Sequence, residues 1–306
     1  MKNTHNRAIK VRADALLLIT TFFWGITFVI VKEAIEEVGV FLFLSQRFTL
    51  AFLLLLPVCL ALRHPFTTKS LKQGIILGTS LFGGYALQTM ALLYTTASNT
   101  AFLTGLNVVF VPLIGALIFR QLITLNMKLG VVLAAIGLYL LCTTKAWTLN
   151  NGDILAILCA ICVALHVILT GSFARSSDVY WLATIQLGVV AVFSTLIAKF
   201  TSHEIFVWHP EILWPLVICV LFATIFAFLV QTSMQRFTSP THTALIFCME
   251  PIFAALYAYW AIDERLGFWR LIGATLILAG MVLSKIRLSR FSFRKVQINH
   301  LRSNTK

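Results

Sequence analysis

Charge is scarce in this chain. Only 11% of its 306 residues are charged, 59% are hydrophobic, and the mean hydropathy is +0.91. A soluble domain of this length has no way to hide so much apolar surface, so a water-soluble globular protein is excluded. Long polar stretches are missing too. Outside the apolar runs only short tails and small loops remain, too little for a soluble catalytic domain. No phosphate-cradling glycine loop occurs, so ATP does not drive the protein directly. No H-E-x-x-H or similar metal-ligand spacing is found, and no cofactor is expected. Cysteine is sparse: Cys59, Cys142, Cys159, Cys162, Cys219 and Cys248 all fall within apolar runs, where they act as small apolar residues. Cys159 and Cys162 form a C-x-x-C, but with no strand pattern and no nearby His/Cys pair, which argues against a redox or metal role. The basic start (Lys2, Arg7, Lys10, Arg12) leads straight into a long apolar run with no small-residue cleavage pattern, so a retained signal-anchor is expected.

What is present is a series of apolar runs of roughly 20 residues, the length that crosses a bilayer as a helix. Ten can be marked, at 13–33, 39–62, 73–93, 98–119, 127–144, 153–173, 180–200, 212–234, 241–262 and 267–285. The short separators between 73 and 144 predict antiparallel neighbours. The net charge of +13 is unevenly spread. With the N-terminus in the cytoplasm, the cytoplasmic segments hold 18 Lys and Arg and the opposite side holds five; Arg47 lies within a span. That bias predicts both termini inside a cytoplasmic (inner) membrane. The basic tail at 291–306 reads as a topology signal and a contact for anionic lipid rather than for nucleic acid.

The two halves of the chain echo each other. At an offset of 143, Gln88-Thr89 matches Gln231-Thr232, Thr100-Ala101 matches Thr243-Ala244, Asn107 matches Glu250, and Gly130 and Gly137 match Gly273 and Gly280. Nearer the start of each half the offset drifts: Asp14 answers Asp153 and Gln46 answers Gln186. The expected division is therefore a first repeat at 1–145, a second at 146–290, and the tail. Five helices is an odd number, so the second copy enters the membrane from the other side. Such inverted repeats are an architecture of secondary transporters. The paired glycines predict close helix packing, within one chain or between two copies, leaving a monomer or a homodimer open.

These residues resemble a known family. Phe23-Trp24-Gly25, Arg47, "AFLTGLNVVFVPLIGALI" and the stretch from Ala244 to Leu283, with Glu250-Pro251, Asp263-Glu264-Arg265 and Gly273, are similar to the EamA-type branch of the drug/metabolite transporter superfamily. The resemblance covers about 13–285. It implies an all-α integral membrane fold of ten helices, as two inverted five-helix repeats around a central cavity. It also implies transport, and export of amino acids or related metabolites is expected from the resemblance alone. One departure is Val163-Ala164 in the sixth span, where the first span has Trp24-Gly25.

Polar residues inside spans mark the candidate pathway, because lipid gives them no hydrogen-bond partner. Glu250 either titrates in transport or contacts a cationic group, or it accepts hydrogen bonds from neighbouring hydroxyls and amides as a structural group. Arg47 pairs with Glu250, binds a substrate carboxylate, or snorkels to an interface. His166 is a proton carrier or a neutral helix contact. Asn107, Trp24, Tyr85, Gln88 and Gln231 complete the candidate lining, and Pro112 and Pro251 are expected to distort their helices. The function expected is secondary transport of small polar or amphipathic metabolites by alternating access, not enzymatic. The rivals are a polytopic membrane enzyme, which lacks a convergent catalytic set, and a channel, which lacks a recognisable filter.

Overall fold

The computed structural model describes residues 2–142, 150–201, 209–261 and 267–285. The Asp263-Glu264-Arg265 loop and the basic tail lie outside the described residues. Among those described there are helices and no strand. In order they are α1 (Lys2–Val38), α2 (Val40–Ala61), α3 (Thr68–Tyr94), α4 (Ala97–Gly105), α5 (Asn107–Leu117), α6 (Leu125–Cys142), α7 (Asn151–Phe173), α8 (Val179–Thr201), α9 (Pro210–Val220), α10 (Ala227–Met234), α11 (Pro240–Phe247), α12 (Glu250–Ala261) and α13 (Phe268–Lys285). A wide π-turn, Leu221–Phe226, joins α9 to α10. Among the described residues seven helical segments are long and apolar enough to cross a membrane, with α4–α5 and α9–α10 each counted as one; Leu125–Leu140 and Phe268–Ser284 are shorter apolar helices.

Local chemistry sets the helix starts. Thr67 and Ser70 form a reciprocal capping box ahead of α3, and Asn150 and Asp153 form another ahead of α7. Each satisfies two of the amides a helix start leaves without partners. Between α1 and α2 the chain reverses through Gly39 alone, at φ +80°, in a region open to glycine and strained for other residues. Hydroxyls buried in the spans return to their own helix: Thr21 donates to the Leu17 carbonyl at 2.8 Å and Thr104 to the Thr100 carbonyl at 2.7 Å. Such bonds let threonine sit at membrane depth without an orphan donor.

The pairs α2/α8, α3/α7 and α6/α13 run antiparallel, whereas α3 and α8 run parallel, Gly74 meeting Ile185 and Gly78 meeting Val189. α2 lies along α8, with Ser45 2.7 Å from Thr195 and Cys59 2.9 Å from Thr184. α3 lies along both α7 and α8. α6 and α13 meet backbone to backbone. A Cβ on Gly130 would stand 2.6 Å from the Gly280 carbonyl, and one on Gly137 would stand 2.5 Å from the Gly273 carbonyl. The paired glycines thus pack within one chain. Each glycine of one helix meets the other member of the pair on its partner, as in a contact with local two-fold symmetry.

Candidate functional site

The site grows out of two interrupted helices. The Leu106 amide bonds back to the Leu103 carbonyl at 3.2 Å, and the Met249 amide to the Ile246 carbonyl at 3.0 Å. These tight turns stand at equivalent places in the two halves, 143 residues apart. Beyond them α5 opens on Asn107 and α12 on Glu250. The polar pair marked by the sequence repeat therefore supplies the first residues of two half-helices. A helix start carries free amides and partial positive charge, which favours a carboxylate there. Pro251 follows as the second residue of α12, where its missing N–H leaves no bond unmade. Pro112 lies inside α5, past the turn rather than at it. The turns also touch: the Cys248 thiol lies 3.8 Å from the Gly105 carbonyl, again a pair 143 apart.

A cavity of about 80 Å³ lies beside these turns. The structure brings Trp24, Arg47, Tyr85, Gln88, Asn107, His166, Gln231 and Glu250 together on its wall. The lining repeats across the two halves. Trp24, Thr27 and Phe28 on α1 correspond to Val163, His166 and Val167 on α7. Tyr85 and Gln88 on α3 correspond to Phe228 and Gln231 on α10, and Asn107 to Glu250. Where α7 lacks the Trp-Gly element it contributes Val163 to the wall. Gly25 has its own task. A Cβ there would meet the Glu250 carbonyl at 2.7 Å, so glycine lets α1 lie directly against the start of α12. Trp24 then faces Phe247 edge-on, with ring centroids 5.0 Å apart.

Arg47 does not take two of the courses weighed from the sequence, snorkelling and pairing with Glu250. It is 2% exposed, so it does not snorkel, and among the described residues it has no ion pair with Glu250. Its Nε donates to Thr224 Oγ1 at 2.8 Å, and its Nη2 donates to the Ala223 carbonyl at 3.2 Å and, at a longer 3.4 Å, to the Tyr85 hydroxyl. The guanidinium carbon lies 4.9 Å from the Tyr85 ring centroid, a cation–π contact. The π-turn explains the acceptors. There the Ala227 amide bonds to Phe222 and Thr224 rather than to Ala223, and the Ala223 carbonyl receives both Arg47 and the Trp24 indole N–H, the latter at 2.9 Å. π-turns of this kind are frequent at functional sites. No Pro or Gly marks Leu221–Phe226, so no sequence signal announces the turn, and Thr224 was missed for that reason.

Of the other polar groups, His166 Nε2 lies 2.7 Å from Gln186 Oε1, and Gln186 Nε2 donates to Thr232 at 3.3 Å. The imidazole is a bonded wall residue that also faces Phe228 edge-on. Asn107 Nδ2 donates to the Thr104 carbonyl at 3.0 Å, leaving its Oδ1 buried without a partner. Gln231 Nε2 donates to Gln235 Oε1 at 3.3 Å and its own Oε1 is likewise buried and unpaired. Glu250 is half-buried and has no hydrogen bond or ion pair among the described residues, so the structural-acceptor role has no visible donor. No cluster of metal-ligating side chains occurs among the described residues.

The EamA-like transporter family model matches this chain twice, over residues 11–143 and 150–286. A relative from Archaeoglobus fulgidus, named as an uncharacterized transporter, is 31% identical across 90% of this chain and 86% of its own length. The Bacillus subtilis uncharacterized transporter YyaM is 23% identical across 92% of this chain and 96% of its own. A solved crystal structure aligns with a TM-score of 0.73 over 90% of this chain and 96% of that one at 19% identity, a likeness of fold. With its apolar membrane helices and a family match spanning nearly its whole length, the chain belongs to the EamA-like transporter family.

Proposed function

We propose that the protein is a secondary transporter that exports small polar or amphipathic metabolites, such as amino acids or related compounds, across the cytoplasmic membrane by alternating access. The observation that carries this reading is the cavity wall itself, drawn from corresponding positions of the two halves and centred on two interrupted helices. Interrupted helices at a repeat interface are where transporters of inverted-repeat design hold cargo. The exchanged glycine contacts of α6 and α13 support an inverted relation between the halves, as do the two separate family matches. In this reading the seven long helical segments, the two shorter apolar helices and the interrupted α11–α12 pair make ten crossings. Trp24, Arg47, Tyr85, Gln88, Asn107, His166, Gln231 and Glu250 form the pathway, Pro112 and Pro251 shape it, and anionic lipid contacts the basic tail.

Reconstituted vesicles test this. A carrier gives saturable solute flux with counterflow, measured across a panel of labelled amino acids and amines. Conductance far above carrier turnover would instead mark a channel, and chemical conversion an enzyme. Glu250→Gln is expected to reduce flux while the protein still reaches the membrane. Normal flux in that variant removes Glu250 from the pathway.

A further inference from the structure

The pairs that line the cavity correspond in position and differ in chemistry. Tyr85 and Trp24 of the first half correspond to Phe228 and Val163 of the second, while the carboxyl of Glu250 stands where the first half has the amide of Asn107. The wall therefore combines aromatic surface with hydrogen-bond acceptors.

Three acceptors there lack donors. Asn107 Oδ1 and Gln231 Oε1 are buried and unpaired, on residues 5% and 1% exposed, and Glu250 has no partner among the described residues. The orientation of both amides follows from their neighbours. The Thr104 carbonyl accepts only, so Asn107 must turn its NH2 toward it and leave Oδ1 free. The Val167 carbonyl likewise requires the NH2 of Gln235, whose Oε1 then takes the NH2 of Gln231. Gln231 Oε1 is the end of that chain. A buried acceptor without a donor costs about 1–3 kcal/mol, a cost a bound donor group relieves. Arg47 does not relieve it among the described residues: its hydrogen bonds go to Thr224, Ala223 and Tyr85, and none reaches Asn107, Gln231 or Glu250.

We infer that the cavity recognises a primary organic ammonium, held by Glu250 with the side-chain oxygens of Asn107 and Gln231, with an apolar or aromatic body against Trp24, Tyr85 and Phe228. The ammonium is the recognised group, and a carboxylate on the cargo is dispensable. This rests on the reading of the cavity as the cargo site and narrows it to a chemical class. An ammonium matches the wall because it offers three N–H donors and a positive charge, while every unpaired oxygen there accepts and one belongs to a carboxyl.

Calorimetric titration of the purified protein in lipid nanodiscs tests the assignment with matched probes, phenethylammonium and 3-phenylpropionate. The amine is expected to bind saturably, and the carboxylate neither to bind nor to compete. Glu250→Gln is expected to weaken the amine by roughly 10- to 100-fold, the loss of one charge-assisted hydrogen bond. The comparison of probes on the unaltered protein needs no variant, and the thermal midpoint of Glu250→Gln reports its folding. Equal or tighter binding of the carboxylate overturns the inference. So does absence of saturable amine binding, or unchanged amine affinity in a folded Glu250→Gln. Amine binding without flux in vesicles would remove the transporter reading and keep this one. Saturable flux confined to anionic cargo would do the reverse.

Discussion

Arg47 shows how a single charge is tolerated at membrane depth. Its guanidinium is a rigid planar fork, so it needs acceptors arranged to match that fork rather than a mobile counter-ion. The π-turn supplies them through the Ala223 carbonyl and Thr224, with Tyr85 stacked below. Arg47→Gln is expected to lower stability by about 1–2 kcal/mol as well as impairing transport, the range of polar contacts measured within membranes. Arg47→Lys is expected to lose nearly as much, because a point-like ammonium lacks the planar fork that spans Thr224 and the Ala223 carbonyl while lying against the Tyr85 ring. Thermal unfolding in detergent checks both, and a stable, fully active Arg47→Lys would show that charge alone is what the site needs. Glu250 differs: with no partner to lose among the described residues, its conservative replacement should leave stability nearly unchanged.

Interruption and close approach are decided at the level of the helices. α4–α5 and α11–α12 turn at equivalent positions, and α6 and α13 touch through glycine on both sides. Gly130→Ala and Gly280→Ala each place a methyl against the other helix's backbone, at 2.6 Å and 2.5 Å, and backbone cannot rotate aside. Each change is expected to cost about 1–3 kcal/mol by overpacking. Because both push apart the same contact, the double variant should lose clearly less than the sum. Strict additivity in thermal unfolding would mean that the two glycines do not share one interface.

The whole molecule is organised by its charge asymmetry and its repetition. The 18-to-5 distribution of Lys and Arg predicts that the α2–α3 loop faces the cytoplasm and the α1–α2 corner the opposite side. Phe66→Cys and Glu37→Cys, both at exposed positions, test it with a membrane-impermeant thiol reagent. Labelling of Glu37→Cys in intact cells, and of Phe66→Cys only after permeabilisation, is the expected result. The opposite pattern would invert the topology. The native cysteines lie in the apolar spans, which keeps the background low.

The membrane environment, the places of the apolar helices and the polar positions worth watching were legible in the amino acids. Hydropathy, spacing and internal matches act over a turn or a span, and each is written locally. The repeat offset marked Asn107 with Glu250 and Gln88 with Gln231 before any contact was visible, and the structure sets all four on one cavity wall. The partner of Arg47, the acceptors left unpaired and the π-turn were not legible. Arg47 finds the Ala223 carbonyl 176 residues away, and that carbonyl is available only because the helix widens there. Which hydrogen bonds go unmade depends on every neighbour at once, so only tertiary packing decides it.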